Sequence, residues 1–178
     1  MKLWKKLILG LLGLMAVLLL AGWLLPSRHR IERSIILNGR PEEVFALTAT
    51  LKHWPNWTAW TTNRFSDLTL RFNGPDEGVG ATMVAAGKSS GNGTVVITSA
   101  NPAKGITYNL DFNHGTQAFA GAIRYANTSD GLRVTWTLEA NLGANLLKRW
   151  AGLAMGLLMG VDMEQGLANL KRRVEAKR

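Results

Sequence analysis

Ile31–Trp60, IERSIILNGRPEEVFALTATLKHWPNWTAW, decides the fold. Residues 30–38 alternate enough to predict a first strand, and Gly39-Arg40 ends it. Pro41 then opens a helix at the position where a missing N–H leaves no bond unmade. Glu42 and Glu43 place carboxylates at the positive end of that helix. Val44, Phe45 and Leu47 give the helix an apolar face, and Leu51–Trp54 predicts a second short helix stopped by Pro55. Trp54, Trp57 and Trp60 follow at three-residue spacing, which at helical pitch brings side chains near one face. Two readings of this corner stand side by side: a plug near the mouth of a cavity, or a hydrophobic corner and nothing more.

After Asn63 the composition turns to β. Strands are expected at 65–72, 79–86, 93–100, 106–112, 117–127 and 132–140, separated by GPDEGVG, GKSSGNG, NPAKG, NHGT and TSDG. A two-residue turn at Asp130-Gly131 would set Tyr125 opposite Trp136 and Ile123 opposite Leu138. A turn at His114-Gly115 would set Leu110 opposite Phe119 and Tyr108 opposite Gly121. Both registers collect Tyr108, Leu110, Phe112, Phe119, Ile123, Tyr125, Val134, Trp136 and Leu138 on one face, with Asp111, Arg124, Arg133 and Glu139 on the other. From Ala144 a helical pattern runs close to the C-terminus, with Leu146, Trp150, Leu153, Leu157, Leu167, Leu170 and Val174 expected on one stripe. Inside it, Gly152, Gly156 and Gly160 recur every four residues, which predicts that something presses close there: the sheet before a ligand or a bilayer.

One strand, two short helices, six strands and a long helix is the helix-grip order. PEEVFAL followed by WPNWTAW resembles the opening of the SRPBCC superfamily, the START/Bet v1-like group that includes polyketide cyclase/dehydrase and lipid-transport branches. GPDEGVGATM with GTVVITSANP, GLRVTWTLEA, and finally DMEQGLANLKRRVE are similar to its later segments, in the family's order, across nearly all of 31–175. The resemblance implies an α+β fold, a curved antiparallel sheet wrapped on the C-terminal helix with a cavity between them. It implies no one reaction, because such a fold hosts many functions.

Residues 7–25 form a nineteen-residue uncharged run preceded by Lys2, Lys5 and Lys6 and bracketed by Trp4 and Trp23. At about 1.5 Å per residue it nearly crosses a hydrocarbon core of about 30 Å. The run is long for a cleaved signal, and no Ala-x-Ala pair precedes Pro26, so a retained signal anchor is the expectation. The division is then a basic N-terminus at 1–6, a transmembrane anchor at 7–25, a juxtamembrane linker at 26–30 and the helix-grip domain at 31–178. The compact N-terminal lysine cluster orients the N-terminus inside. A single pass through a bacterial inner membrane, with the domain on the periplasmic side, is expected.

The formal charge of +9 sits at the ends of the chain: residues 34–170 carry ten basic and ten acidic side chains. No basic stripe crosses the folded body, so nucleic acid is not expected as a partner; the lipid bilayer and a small hydrophobic ligand are. The C-terminal KRRVEAKR reads as a solvated helix end whose cations suit the macrodipole, with headgroup contact as a second reading.

There is no cysteine, which excludes disulfides and thiolate chemistry. His29, His53 and His114 lack metal-ligand spacing, so neither metal nor cofactor is expected; His53 is the histidine placed to approach a cavity mouth. Trp57, Trp60, Met83, Tyr108, Leu110, Phe112, Phe119, Tyr125, Trp136, Leu153 and Leu157 are the cavity candidates, aromatics and phenols suiting an apolar pocket with few polar fixtures. No catalytic residue is assigned, because the predicted inner face offers two tyrosines as its ionisable groups. The sequence therefore points to non-catalytic binding, with transport included, of a hydrophobic or lipid-like molecule. The alternatives are a cyclase/dehydrase-type enzyme on a hydrophobic substrate, with Asp111, Arg124 or His53 turned into the cavity, or a membrane-proximal interaction module.

Overall fold

A computed structural model describes residues 3–112 and 117–176. Helix α1 (Leu3–Leu24) is followed by strand β1 (Arg28–Leu37), helix α2 (Pro41–Thr48) and a 3-10 turn (Leu51–Asn56). Six strands then run in sequence: β2 (Thr69–Asn73), β3 (Thr82–Ala86), β4 (Gly93–Asn101), β5 (Gly105–Phe112), β6 (Gln117–Thr128) and β7 (Gly131–Asn141). Helix α3 (Leu146–Glu175) ends the chain. The strands form one antiparallel sheet in the order β1-β7-β6-β5-β4-β3-β2. This is the helix-grip arrangement that the sequence predicts, with α3 packed along the sheet. α1 is long and apolar enough to cross a membrane.

Strand β1 begins at Arg28 rather than Arg30, because its pairing with β7 continues to Arg28 opposite Asn141. The expected linker at 26–30 is correspondingly shorter. Strands β2 and β3 start later than predicted. The Phe65–Leu68 segment forms a turn closed from Leu68 N to Phe65 O, and Gly78–Ala81 forms another.

The register of β5 with β6 is the predicted one, Leu110 opposite Phe119 and Tyr108 opposite Gly121; the proposed His114-Gly115 turn lies outside the described residues. The β6–β7 register is corrected. Ser129 and Asp130 make the turn, Tyr125 faces Val134 and Ile123 faces Trp136. The slip is two residues, and side chains alternate with period two, so every inner-face assignment survives it. Asp111, Arg124, Arg133 and Glu139 stay on the opposite face.

The Trp corner has a job in the backbone. A helix of eight residues leaves its last four carbonyls without intrahelical partners. In α2 these are taken by Ala49 N–H on Phe45 O at 2.7 Å, the His53 ring Nδ1 on Ala46 O at 3.0 Å, Trp57 Nε1 on Leu47 O at 3.1 Å and Trp54 Nε1 on Thr48 O at 2.8 Å. At the other end, Glu43 accepts from the Arg40 backbone N–H at 2.9 Å. His53 is therefore a helix cap and not a cavity group.

In α3 the predicted stripe holds for Leu167, Leu170 and Val174, which are buried with Met163. It fails for the first half of the helix. Ten residues from Leu157 to Leu167 are not a whole number of turns at 3.6 residues each, so the two groups face different ways. Glycines turn inward there instead. A Cβ on Gly152 would come within 2.6 Å of Leu142, one on Gly160 within 2.5 Å of the Arg33 guanidinium, and one on Gly156 would overlap His29. The four-residue glycine spacing thus serves the close helix–sheet packing that the sequence predicts, and His29 fills part of that seam.

Candidate functional site

Between the sheet and α3 lies a cavity of about 320 Å³. Its sheet wall consists of Val95, Tyr108, Leu110, Phe112, Gln117, Trp136 and Leu138. Its helix wall is Leu158, Met159, Asp162 and Met163. The corner supplies Trp54, Thr58, Ala59 and Trp60, and Ser90 with Gly91 complete the rim. The alternation of β5 and β7 sends every second side chain inward, and α3 closes the space with flexible methionines.

Two polar constellations are set in this apolar shell. On the sheet wall, Trp136 Nε1 donates to the Tyr108 hydroxyl at 2.6 Å. Tyr108 is fully buried, and burial raises its pKa far above the ordinary phenol range, the Trp136 bond acting in the opposite sense. The phenol is therefore neutral at all physiological pH values. With a lone pair taken by Trp136, its own hydrogen is the one available to a ligand. The ring is held between Trp54, 5.1 Å away edge-on, and Gly121, where any side chain would overlap it. At the rim, Arg64 Nη1 donates to Asp162 Oδ1 at 2.6 Å. This half-exposed carboxylate is the one charged group that lines the cavity among the described residues.

Of the predicted cavity residues, Trp60, Tyr108, Leu110, Phe112 and Trp136 come together on its wall. Trp60 lies 5.0 Å from Phe112, edge to face, at the rim. The others lie elsewhere. Trp57 is in the core behind Trp54 and Trp136, its indole fixed on α2. Met83 is core on β3. Phe119 packs edge-on at 5.9 Å behind Phe112 and touches a second, polar concavity shared with Asp111 and Glu139. Tyr125 is tied to the Thr48 hydroxyl near α2. Leu153 and Leu157 face outward, because glycines occupy the inner face of that half of α3. Neither Asp111, Arg124 nor His53 turns into the cavity.

The sequence alone did not single out Asp162. The signal was the spacing: Asp162 stands three residues after Met159 and one before buried Met163, on the cavity side of the helix.

A match to the family described as polyketide cyclase / dehydrase and lipid transport spans residues 28–175. The chain belongs to this family. No curated protein matches it. Among solved structures, the di-domain ARO/CYC StfQ from the steffimycin biosynthetic pathway superposes with a TM-score of 0.66 at 11% identity, covering 84% of this chain and 51% of that one. The di-domain ARO/CYC BexL from the BE-7585A biosynthetic pathway gives 0.58 at 12%, with 84% and 51% covered. A protein from Rhodobacter sphaeroides gives 0.60 at 15%, with 86% and 95% covered. The chain thus spans about half the length of StfQ and BexL, and at these identities the likeness is one of fold.

Membership in the polyketide cyclase/dehydrase and lipid transport family corrects the expectation of a non-catalytic protein. The family's name leads with two enzyme types. The sheet is short of acid–base groups, and the carboxylate at the cavity comes from the helix.

Proposed function

We propose that this protein is a cyclase/dehydrase-type enzyme that acts on a hydrophobic, carbonyl-bearing substrate held between the sheet and α3. The hydrogen bond from Trp136 to Tyr108 on the cavity wall carries this reading. A buried neutral phenol, polarised by a donor on its oxygen, presents its hydrogen to a substrate carbonyl oxygen. Charge developing on that oxygen is then stabilised in a water-poor site, and the C–H beside the carbonyl becomes acidic. Asp162, oriented by Arg64, takes that proton. The electron pair left behind forms an enolate on the Tyr108 side. The enolate expels a β-hydroxyl as water, with the proton returned by Asp162, or attacks a second carbonyl of the same molecule and closes a ring, the new alkoxide taking the proton back from Asp162. The apolar wall of Leu110, Phe112, Leu138 and Met159 folds the substrate for either outcome.

α1 serves as the membrane anchor in this proposal, residues 7–25 crossing the bilayer and the Lys2, Lys5 and Lys6 cluster keeping the N-terminus inside. That places the 31–178 domain on the periplasmic face of a bacterial inner membrane.

The full chain in phospholipid vesicles, given a hydrophobic β-keto thioester in heavy water, tests the chemistry through deuterium uptake at the carbon between the carbonyls. Uptake above the buffer rate is expected, falling about 100-fold in Tyr108→Phe and in Asp162→Asn. Uptake at the buffer rate across a panel of such esters, with the protein folded, overturns the reading.

A further inference from the structure

The first half of α3 carries an exposed apolar face that the cavity uses only at its edge, through Leu158. Leu147, Leu157, Leu158 and Val161 are 81%, 74%, 73% and 64% exposed. No charged residue interrupts 150–161. A soluble helix of that length would place polar side chains on its outer face, and the second half of α3 does so with Glu164, Gln165 and Arg172.

α1 indicates what covers this face. The start of α3 is clamped to the end of α1: Arg149 Nη1 donates to Trp23 O at 2.9 Å and to Leu25 O at 3.0 Å, which supplies partners and positive charge at that helix C-terminus. Trp150 Nε1 donates to Leu18 O at 3.3 Å, with its indole against Gly22. Leu18 lies seven residues before Leu25, roughly 10 Å along the helix. If α1 spans the bilayer, Trp150 sits at the depth where interfacial tryptophans sit, and Arg149 with Lys148 lies at headgroup level.

We infer that the Leu147–Val161 face of α3 lies in the lipid surface and that the cavity, whose helix wall begins at Leu158 and Met159, takes its substrate from the bilayer. The inference rests on α1 as the membrane anchor. The face has the features of an interfacial helix, apolar on one side with cations at one end, and its start is joined to the end of α1 through Arg149 and Trp150. Asp162 marks where the helix leaves lipid for water.

The chain has no cysteine, so single cysteines can be introduced cleanly. In the full chain, reconstituted into phosphatidylcholine/phosphatidylglycerol vesicles, polarity-sensitive labels at Leu147→Cys, Leu157→Cys and Val161→Cys are compared with one at Ser129→Cys on the β6–β7 turn. The first three should be quenched severalfold more by nitroxide lipids than the fourth, and the fourth more by aqueous iodide. Leu157→Glu/Val161→Glu should slow uptake of a vesicle-borne naphthyl ketone severalfold and leave uptake from detergent solution unchanged. Iodide quenching equal to that at Ser129, in a chain that floats with the vesicles, overturns this inference and leaves the anchor standing. A chain that does not float removes both. Label-to-label quenching that grows with protein density assigns the face to a second copy and overturns the lipid assignment, as does unaltered uptake in the double variant.

Discussion

The ring of Tyr108 on β5 fills the space that a side chain on Gly121 of β6 would occupy. The two residues are cross-strand partners, so the glycine sets the ring's lean and brings its hydroxyl to Trp136. Gly121→Ala is expected to push the ring out of place. Overpacking of this kind costs typically about 1–3 kcal/mol. A lowered urea midpoint with altered tryptophan emission checks it; an unchanged midpoint would mean that the ring has room to yield.

Removing only the hydroxyl isolates the other half of the arrangement. In Tyr108→Phe the indole N–H of Trp136, 7% exposed as a residue, loses its partner. A buried donor left unpaired costs about 1–3 kcal/mol. Denaturant unfolding should show that loss while the cavity keeps its hydrophobic probe, which separates binding from the loss of deuterium uptake.

Tyr108 and Tyr125 are the only tyrosines in the chain, and both are buried. Burial pushes Tyr125 up to about 12 against the opposing bond to Thr48, and pushes Tyr108 further. The unfolded phenols titrate near 10. Between those values the unfolded chain binds fewer protons than the folded one, so stability is full below about pH 10 and falls as pH rises toward 12. Absorbance at 295 nm should show no tyrosinate step near pH 10 in the native protein and two phenols titrating there in urea. Tyr125→Phe should flatten the alkaline loss of stability relative to wild type. A native step at pH 10 would contradict the buried placement.

Trp57→Phe tests the corner. It keeps an aromatic ring, though a smaller one, and removes the N–H from Leu47 O. A cost of about 1–3 kcal/mol is expected, with hydrogen exchange rising in α2 and its 3-10 turn while β5–β7 stay protected. Equal protection throughout would show that packing, not the hydrogen bond, fixes α2.

The sheet was readable because its inner face alternates and because a two-residue slip in one hairpin preserves that alternation. Tyr108, Leu110 and Trp136 could therefore be placed on a common wall from sequence. What sequence could not supply was helix phase. Leu153 and Leu157 share an apolar run with Met159, and only the contacts of Gly152, Gly156 and Gly160 with Leu142, His29 and Arg33 decide which side turns inward. The Trp corner was legible as a feature and not as a device, because its indoles bond to backbone carbonyls, which leave no mark in the sequence. Asp162 was obscured for a related reason: an acid beside an apolar stretch reads as its boundary until the opposite wall is known.

Only Leu25, Pro26 and Ser27 separate α1 from β1, and Arg149 at the start of α3 grips the end of α1 as well. A domain held at two points has little freedom to swivel. Its opening keeps one compass bearing relative to the helix that holds it. With α1 in a bilayer, as proposed, its encounters with a membrane-borne substrate would depend on molecules per unit area, arriving by lateral diffusion, and not on molecules per unit volume. Turnover should accordingly scale with the mole fraction of substrate in the surface and be insensitive to the volume of the surrounding medium.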